Sequence, residues 1–210
     1  MRVAELWRYP VKGLRGESLE RLEIADGGIP GDRAVRVADS RGTVTGRRKQ
    51  KLIGVSAGLG ADGEPLVEGA RWDTPDALAA VRAAAGDEAE LVAAKGGHAH
   101  DAAHILVVTD GGLAQLGYDR RRFRPNIVVA GAAGPAELDW VGRSLRVGDA
   151  TLFVDEPCER CVITTIDPDT TDVDLEVLER TRRELDGLMG VYCSVLEPAS
   201  VAVGDPVEIA

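Results

Sequence analysis

The chain has no run of about 20 apolar residues, the length a membrane-spanning helix requires, and Arg2, Glu5 and Arg8 break up the N-terminus where a secretory leader needs an apolar core. The expectation is a soluble, cytoplasmic protein with no membrane partner. Positive charge is in deficit: 25 Lys and Arg face 35 Asp and Glu, a formal net charge of -10. That field repels nucleic acid and anionic membrane surfaces, so any anionic ligand must be captured locally. Cysteine is scarce. With three residues, Cys158, Cys161 and Cys193, a disulfide framework leaves one unpaired, and the first two are too close in sequence to staple distant segments. There are too few for a four-cysteine iron–sulfur cluster, and no glycine fingerprint for a dinucleotide is read. A redox role would therefore draw electrons from a separate protein.

What the chain has in quantity is short alternating segments between turn signals. Arg2 to Tyr9, Leu19 to Ile24 and Ala34 to Ala38 read as strands, punctuated by Gly27-Gly28, Pro30-Gly31, Ser40-Arg41-Gly42 and Asp62-Gly63. Further strands are expected at 105–108, 126–130, 144–147, 151–154, 162–166, 190–196 and 206–209. Three helices are expected. Thr74-Pro75-Asp76 supplies an N-cap, a proline at the first helical position and an early acid for a helix that ends at Gly86. Another opens at Thr109 or Asp110 and stops at Gly117, and a third covers Asp172 to Leu185. The fold class is mostly β with a few helices (α+β), barrel-like, with a seam near Ala93 to His100 that divides the chain into 1–95 and 96–210.

The chemistry concentrates in Pro157-Cys158-Glu159-Arg160-Cys161. Four readings of the pair compete. A thioredoxin-like dithiol requires a helix N-terminus after the motif, whereas Val162 to Ile166 is β-branched and reads as a strand. Half a zinc site lacks a second Cys-x-x-Cys, and His98, His100 and His104 have the wrong spacing to complete one. Buried structural thiols fit less well beside Arg160, Asp167 and Asp169. The fourth is a thiolate ligand to a soft or redox-active metal, with a nearby arginine favouring the ionised sulfur. One sulfur cannot hold such a metal alone, so this reading implies a cofactor that carries its own ligands.

The stretch Glu156 to Thr170 resembles the core motif of MOSC-domain proteins, the molybdenum cofactor sulfurase C-terminal family. The blocks Arg122-Phe123-Arg124-Pro125-Asn126, Trp140 to Gly148 and Val203 to Val207 are similar to that family in the same order. Tyr9-Pro10-Val11-Lys12 and Gly31-Asp32-Arg33 resemble the N-terminal β-barrel domain that precedes MOSC in the mitochondrial amidoxime reducing component and its bacterial relatives.

The resemblance implies a molybdenum cofactor (Mo-molybdopterin), with Cys161 as ligand to the metal and Lys12, Arg33 and Arg124 as charge-assisted donors to the pterin phosphate. Asn126 would reach the cofactor through its amide. Gly13, which stands where relatives carry Ser, joins the cofactor-binding group. Asp167 is the candidate proton donor, by proximity. The basic run Arg47, Arg48, Lys49 and Lys51 reads either as an attractor of anions or as an exposed loop.

The implied activity is reduction of N-hydroxylated small molecules, fed by an external reductase or electron carrier. The alternative is a carrier that holds sulfur as a persulfide or delivers the cofactor, and a third reading is a catalytically silent cofactor-binding protein. Pyridoxal phosphate binding is an association of the family as a whole.

Overall fold

A computed structural model of the protein describes residues 1–94, 99 and 104–210. The His98 and His100 positions weighed above lie outside the described residues, as does most of the seam at 93–100. The architecture is α+β and mostly strand, with three α-helices among the described residues.

Eight strands form the main sheet, in the spatial order Val207–Ile209, Ser144–Val147, Ala150–Glu159, Leu188–Glu197, Ile105–Thr109, Ile127–Ala130, Arg2–Arg8 and Glu17–Leu19. Every neighbouring pair is antiparallel except Ile105–Thr109 with Ile127–Ala130, which run parallel and are joined through the helix Asp110–Leu116, as a parallel pair requires. One face of the sheet packs on Val3, Leu6, Ile105, Ile127, Leu145, Leu152 and Val191. The other is covered by the helices Asp110–Leu116 and Glu176–Leu185 over Val108, Leu116, Phe123 and Met189.

A second core, built on Val11, Leu14, Val35, Val37, Leu52, Val67 and Val81, lies under a smaller sheet of Glu90–Ala93, Val35–Asp39 and Val11–Lys12, with Gly42–Thr43 paired to its middle strand. The helix Pro75–Ala85 closes it. The Thr74 hydroxyl accepts from the Ala77 N–H and Gly86 ends the helix, as the local sequence predicts. The first strand belongs to the large sheet and Val11–Lys12 to the small one, so Tyr9 and Pro10 form the bridge between the two cores.

Four sequence expectations change. Leu19 to Ile24 is two strands, Glu17–Leu19 and Arg21–Ile24, in different sheets. Val162 to Ile166 is a 3-10 turn, Val162–Thr165, in place of a strand. The reason is local hydrogen bonding: the Thr164 hydroxyl donates to the Cys161 carbonyl and the Thr165 hydroxyl to the Val162 carbonyl, which outweighs β-branched propensity. The last helix starts at Glu176, four residues late, because Val173 bridges to Ile166 and the Asp174 N–H is spent on the Thr165 carbonyl. Finally, the spacing Gly-x-Gly-x-x-Gly does occur, at Gly58, Gly60 and Gly63. It forms the turn of a hairpin between Ala57–Leu59 and Pro65–Val67, with no helix after it to receive a pyrophosphate.

Candidate functional site

The strand expected at 151–154 continues to Glu159, and its pairing with Leu188–Glu197 is irregular between Val154 and Glu156 and again between Pro157 and Glu159. Such bulges tolerate a proline and re-aim the side chains around it. The partner strand follows through Gly190, whose φ of +81 and a would-be Cβ 2.7 Å from Val108 Cγ1 leave room only for glycine. The chain thus delivers Cys158, 2% exposed, and then Cys161 to the wall of a cavity of about 450 Å³. Cys161 is half-buried and all three thiols are free.

Six cationic side chains line this cavity: Lys12, Arg33, Arg47, Arg122, Arg124 and Arg160. Among the described residues two carboxylates do, Glu156 and Glu159. A chain with ten excess negative charges has therefore gathered an excess of four positive ones around one concavity, which focuses potential on an anion. Lys12, Gly13, Arg33, Arg124, Asn126 and Cys161, singled out from sequence, all lie on the wall.

Several of them do something other than expected. Gly13 holds φ +89, and a Cβ there would lie 3.4 Å from Thr45 Cα, so a serine would be strained at this backbone. Asn126 is fully buried: its Oδ1 accepts from the Leu106 N–H at 3.1 Å, and its Nδ2 donates to the Trp7 carbonyl at 3.2 Å and to Asp32 Oδ2 at 3.4 Å. Both amide protons are spent inside the protein, so the expected donation to a ligand gives way to bracing three strands and a loop. Asp167 is not on the cavity wall. Its Oδ1 accepts from the N–H groups of Thr170 and Asp169, and its Oδ2 pairs with Arg122 at 2.8 Å. These backbone donors, Thr170 first, and then Arg122 hold its carboxyl below the usual range, where it is ionised at neutral pH and donates no proton.

The arginine facing the Cys161 sulfur is not Arg160. Arg47 Nη2 lies 3.3 Å from Cys161 Sγ, across 114 residues of sequence, and puts a cationic donor against the thiol. Arg160 instead stacks its guanidinium 5.3 Å from the Phe123 ring centre and donates Nη1 to the Phe123 carbonyl. Its buried Nε and Nη2 have no hydrogen-bond partner among the described residues. Arg122 clamps the turn after Cys161, donating to the Thr165 carbonyl at 2.8 Å as well as to Asp167.

Sequence reasoning missed Asp32 as well. Buried at 1% exposure, it accepts the Tyr9 N–H at 2.6 Å and pairs through Oδ2 with Arg33. Burial opposes the positive charge of Arg33, and Asp32 outweighs that and raises its pKa. Arg33 and Arg124 both hold left-handed backbone, φ +52 and +54, which side chains other than glycine adopt at a cost. The one available signal for Asp32 was its place between Gly31 and Arg33.

Among the described residues no group of three or more His, Cys, Asp or Glu side chains could hold a metal ion. A metal at Cys161 would have to arrive with most of its ligands. The orphaned Arg160 donors, the flanking cations and one accessible sulfur form a donor set that fits an anionic cofactor bearing a metal. No helix among the described residues is long and apolar enough to cross a membrane.

Comparison with known proteins follows the same lines. The chain is 35% identical over 126 residues to the mitochondrial amidoxime reducing component 2 of Macaca fascicularis, a match that covers 51% of this chain and 37% of that protein. Against the human mitochondrial amidoxime-reducing component 1 it is 27% identical over 280 aligned positions, covering 98% of this chain and 82% of the relative. A molybdenum cofactor sulfurase of Anopheles gambiae is 38% identical over 76 residues, 35% of this chain and 10% of that one. The first of these matches thus spans little over a third of its relative. The YuaD protein of Bacillus subtilis shares the fold, with a TM-score of 0.52 at 15% identity over 99% of this chain and 94% of its own. The family model of the MOSC N-terminal beta barrel domain matches residues 1–104, and that of the MOSC domain matches residues 80–208. Those 129 residues include the cysteine pair, Arg124 and Asn126, and the chain belongs to the MOSC domain family.

Proposed function

We propose that this chain binds a molybdenum cofactor in the cationic cavity, with Cys161 as the protein's ligand to the metal, and reduces N-hydroxylated small molecules. The observation that carries the reading is one accessible thiol on the wall of a cavity with six cations and two carboxylates. Names of relatives support it: amidoxime reducing components and a molybdenum cofactor sulfurase.

Lys12, Arg33 and Arg124 would hold the phosphate of the pterin, and Arg160 offers its two unpartnered donors to the same anion. Arg47 keeps a positively charged donor beside the sulfur. Arg122 and the 3-10 turn keep Cys161 in place. Asn126 and Asp32 brace the floor. When bound, the cofactor supplies two-electron chemistry that takes the oxygen from an N–O bond. The net reaction, R–NH–OH + 2 e⁻ + 2 H⁺ → R–NH₂ + H₂O, draws its two electrons in this reading from a reductase or electron carrier.

Elemental and pterin analysis of the native protein beside Cys161→Ala is the test. The expected result is stoichiometric molybdenum in the first and its loss in the second. Metal retained without Cys161 would overturn the ligand assignment. Absence of molybdenum together with thiocyanate release on cyanide treatment would replace the enzyme reading by sulfur carriage.

A further inference from the structure

Two of the cations on the cavity wall share one support. Tyr9, 2% exposed, presents its ring to the guanidinium of Arg33, 5.0 Å from the ring centre, and to that of Arg124, at 4.3 Å. Both lie within the range where a cation is attracted to the ring's electron-rich face. The ring has little freedom. The Tyr9 N–H donates to Asp32 and its carbonyl accepts from the Arg33 N–H at 2.8 Å, while a Cβ on Gly16 would come within 2.5 Å of Tyr9 Cδ1. The hydroxyl plays no part in this: it is buried without a hydrogen-bond partner among the described residues.

We infer that Tyr9 is a positioning residue for anion recognition, its ring serving as a common cation–π platform that orders Arg33 and Arg124 before a ligand arrives. The inference rests on the reading that these arginines receive the anionic tail of the cofactor. An arginine free in solution loses much rotamer freedom when it grips a phosphate. Here the ring, together with the left-handed backbone at Arg33 and Arg124, fixes two of them in advance. Preorganisation of this kind raises affinity without adding any contact to the ligand.

Inorganic pyrophosphate serves as the probe, titrated calorimetrically into the purified protein. Tyr9→Phe keeps the platform and is expected to bind within about 3-fold of the wild type, while Tyr9→Leu is expected to bind about 10-fold more weakly, as loss of one to two such contacts implies. Because Tyr9→Leu also changes packing, a second series holds shape nearly constant: phenylalanine, 4-fluorophenylalanine and 3,4,5-trifluorophenylalanine at position 9. Fluorine drains the ring face, so affinity should fall stepwise along the series with little change in the unfolding midpoint. A flat series, or pyrophosphate binding by Tyr9→Leu at wild-type affinity, overturns the inference, as does a wild-type protein that binds no pyrophosphate. Molybdenum content is read separately, so failure of the metal assignment shows up as metal retained in Cys161→Ala while the position-9 series still lowers pyrophosphate affinity, and is distinguishable from failure of the platform.

Discussion

Replacing Asp32 by alanine puts the largest predicted strain on the site. Its side chain is fully buried and that of Arg33 is 14% exposed, so the pair sits largely out of water. Removing one partner of a buried ion pair leaves an uncompensated charge, at a cost of about 3–5 kcal/mol. The Tyr9 N–H, now bonded at 2.6 Å, is orphaned as well, and an unsatisfied buried donor costs about 1–3 kcal/mol. The two penalties overlap, because Arg33 and Tyr9 relax into the same gap, and a total of about 4–5 kcal/mol follows. For a chain of 210 residues, at about 2–4 °C per kcal/mol, the midpoint should fall by about 8–20 °C. Asp32→Asn keeps an acceptor for Tyr9 but loses the charge, and should fall by about half as much. Far-UV circular dichroism against temperature and urea measures both. A loss under about 1 kcal/mol in Asp32→Ala would refute the claim that this carboxylate holds Arg33 and the Tyr9 loop together.

Arg122→Ala removes the clamp on the turn after Cys161 and should cost about 1–2 kcal/mol, because its partner Asp167 is 30% exposed and water screens the pair, while two main-chain acceptors lose their donor. It should also leave the protein with less than stoichiometric molybdenum although Cys161 is present; full metal content would separate the clamp from the site. Glu137 is fully buried, accepts from the Thr109 hydroxyl, and has its pKa raised chiefly by burial. A raised folded-state value means its contribution to stability is complete below the unfolded carboxylate value of about 4.3 and is lost as pH rises through the folded one. Glu137→Gln should therefore gain stability relative to the wild type as pH is raised from about 4 towards neutrality, measured by urea denaturation; a pH-independent difference would contradict the assignment.

Much of the architecture follows from short-range physics. The helix Pro75–Ala85 is specified by Thr74, Pro75 and Gly86 because capping bonds span only three or four residues, and Asp110–Leu116 by Thr109 and Gly117 in the same way. The thiol pair, the family motifs and most of the strands were legible for a similar reason: their signals lie within ten consecutive residues. Boundaries failed where side chains compete with propensity, as the threonine hydroxyls do in Val162–Thr165.

The sequence by itself singled out side chains that line the cavity: a free thiol at Cys161 and basic residues at Lys12, Arg33 and Arg124. Tertiary structure alone decided how they are used. It brought Arg47 to the sulfur from 114 residues away and turned Arg160 toward Phe123. It withdrew Asp167 into a pair with Arg122 and closed Asn126 and Asp32 into the floor. Those contacts depend on two sheets meeting at Tyr9 and Pro10. Strand pairing between distant segments is a property of the whole fold, so nothing local to any of these residues encodes it.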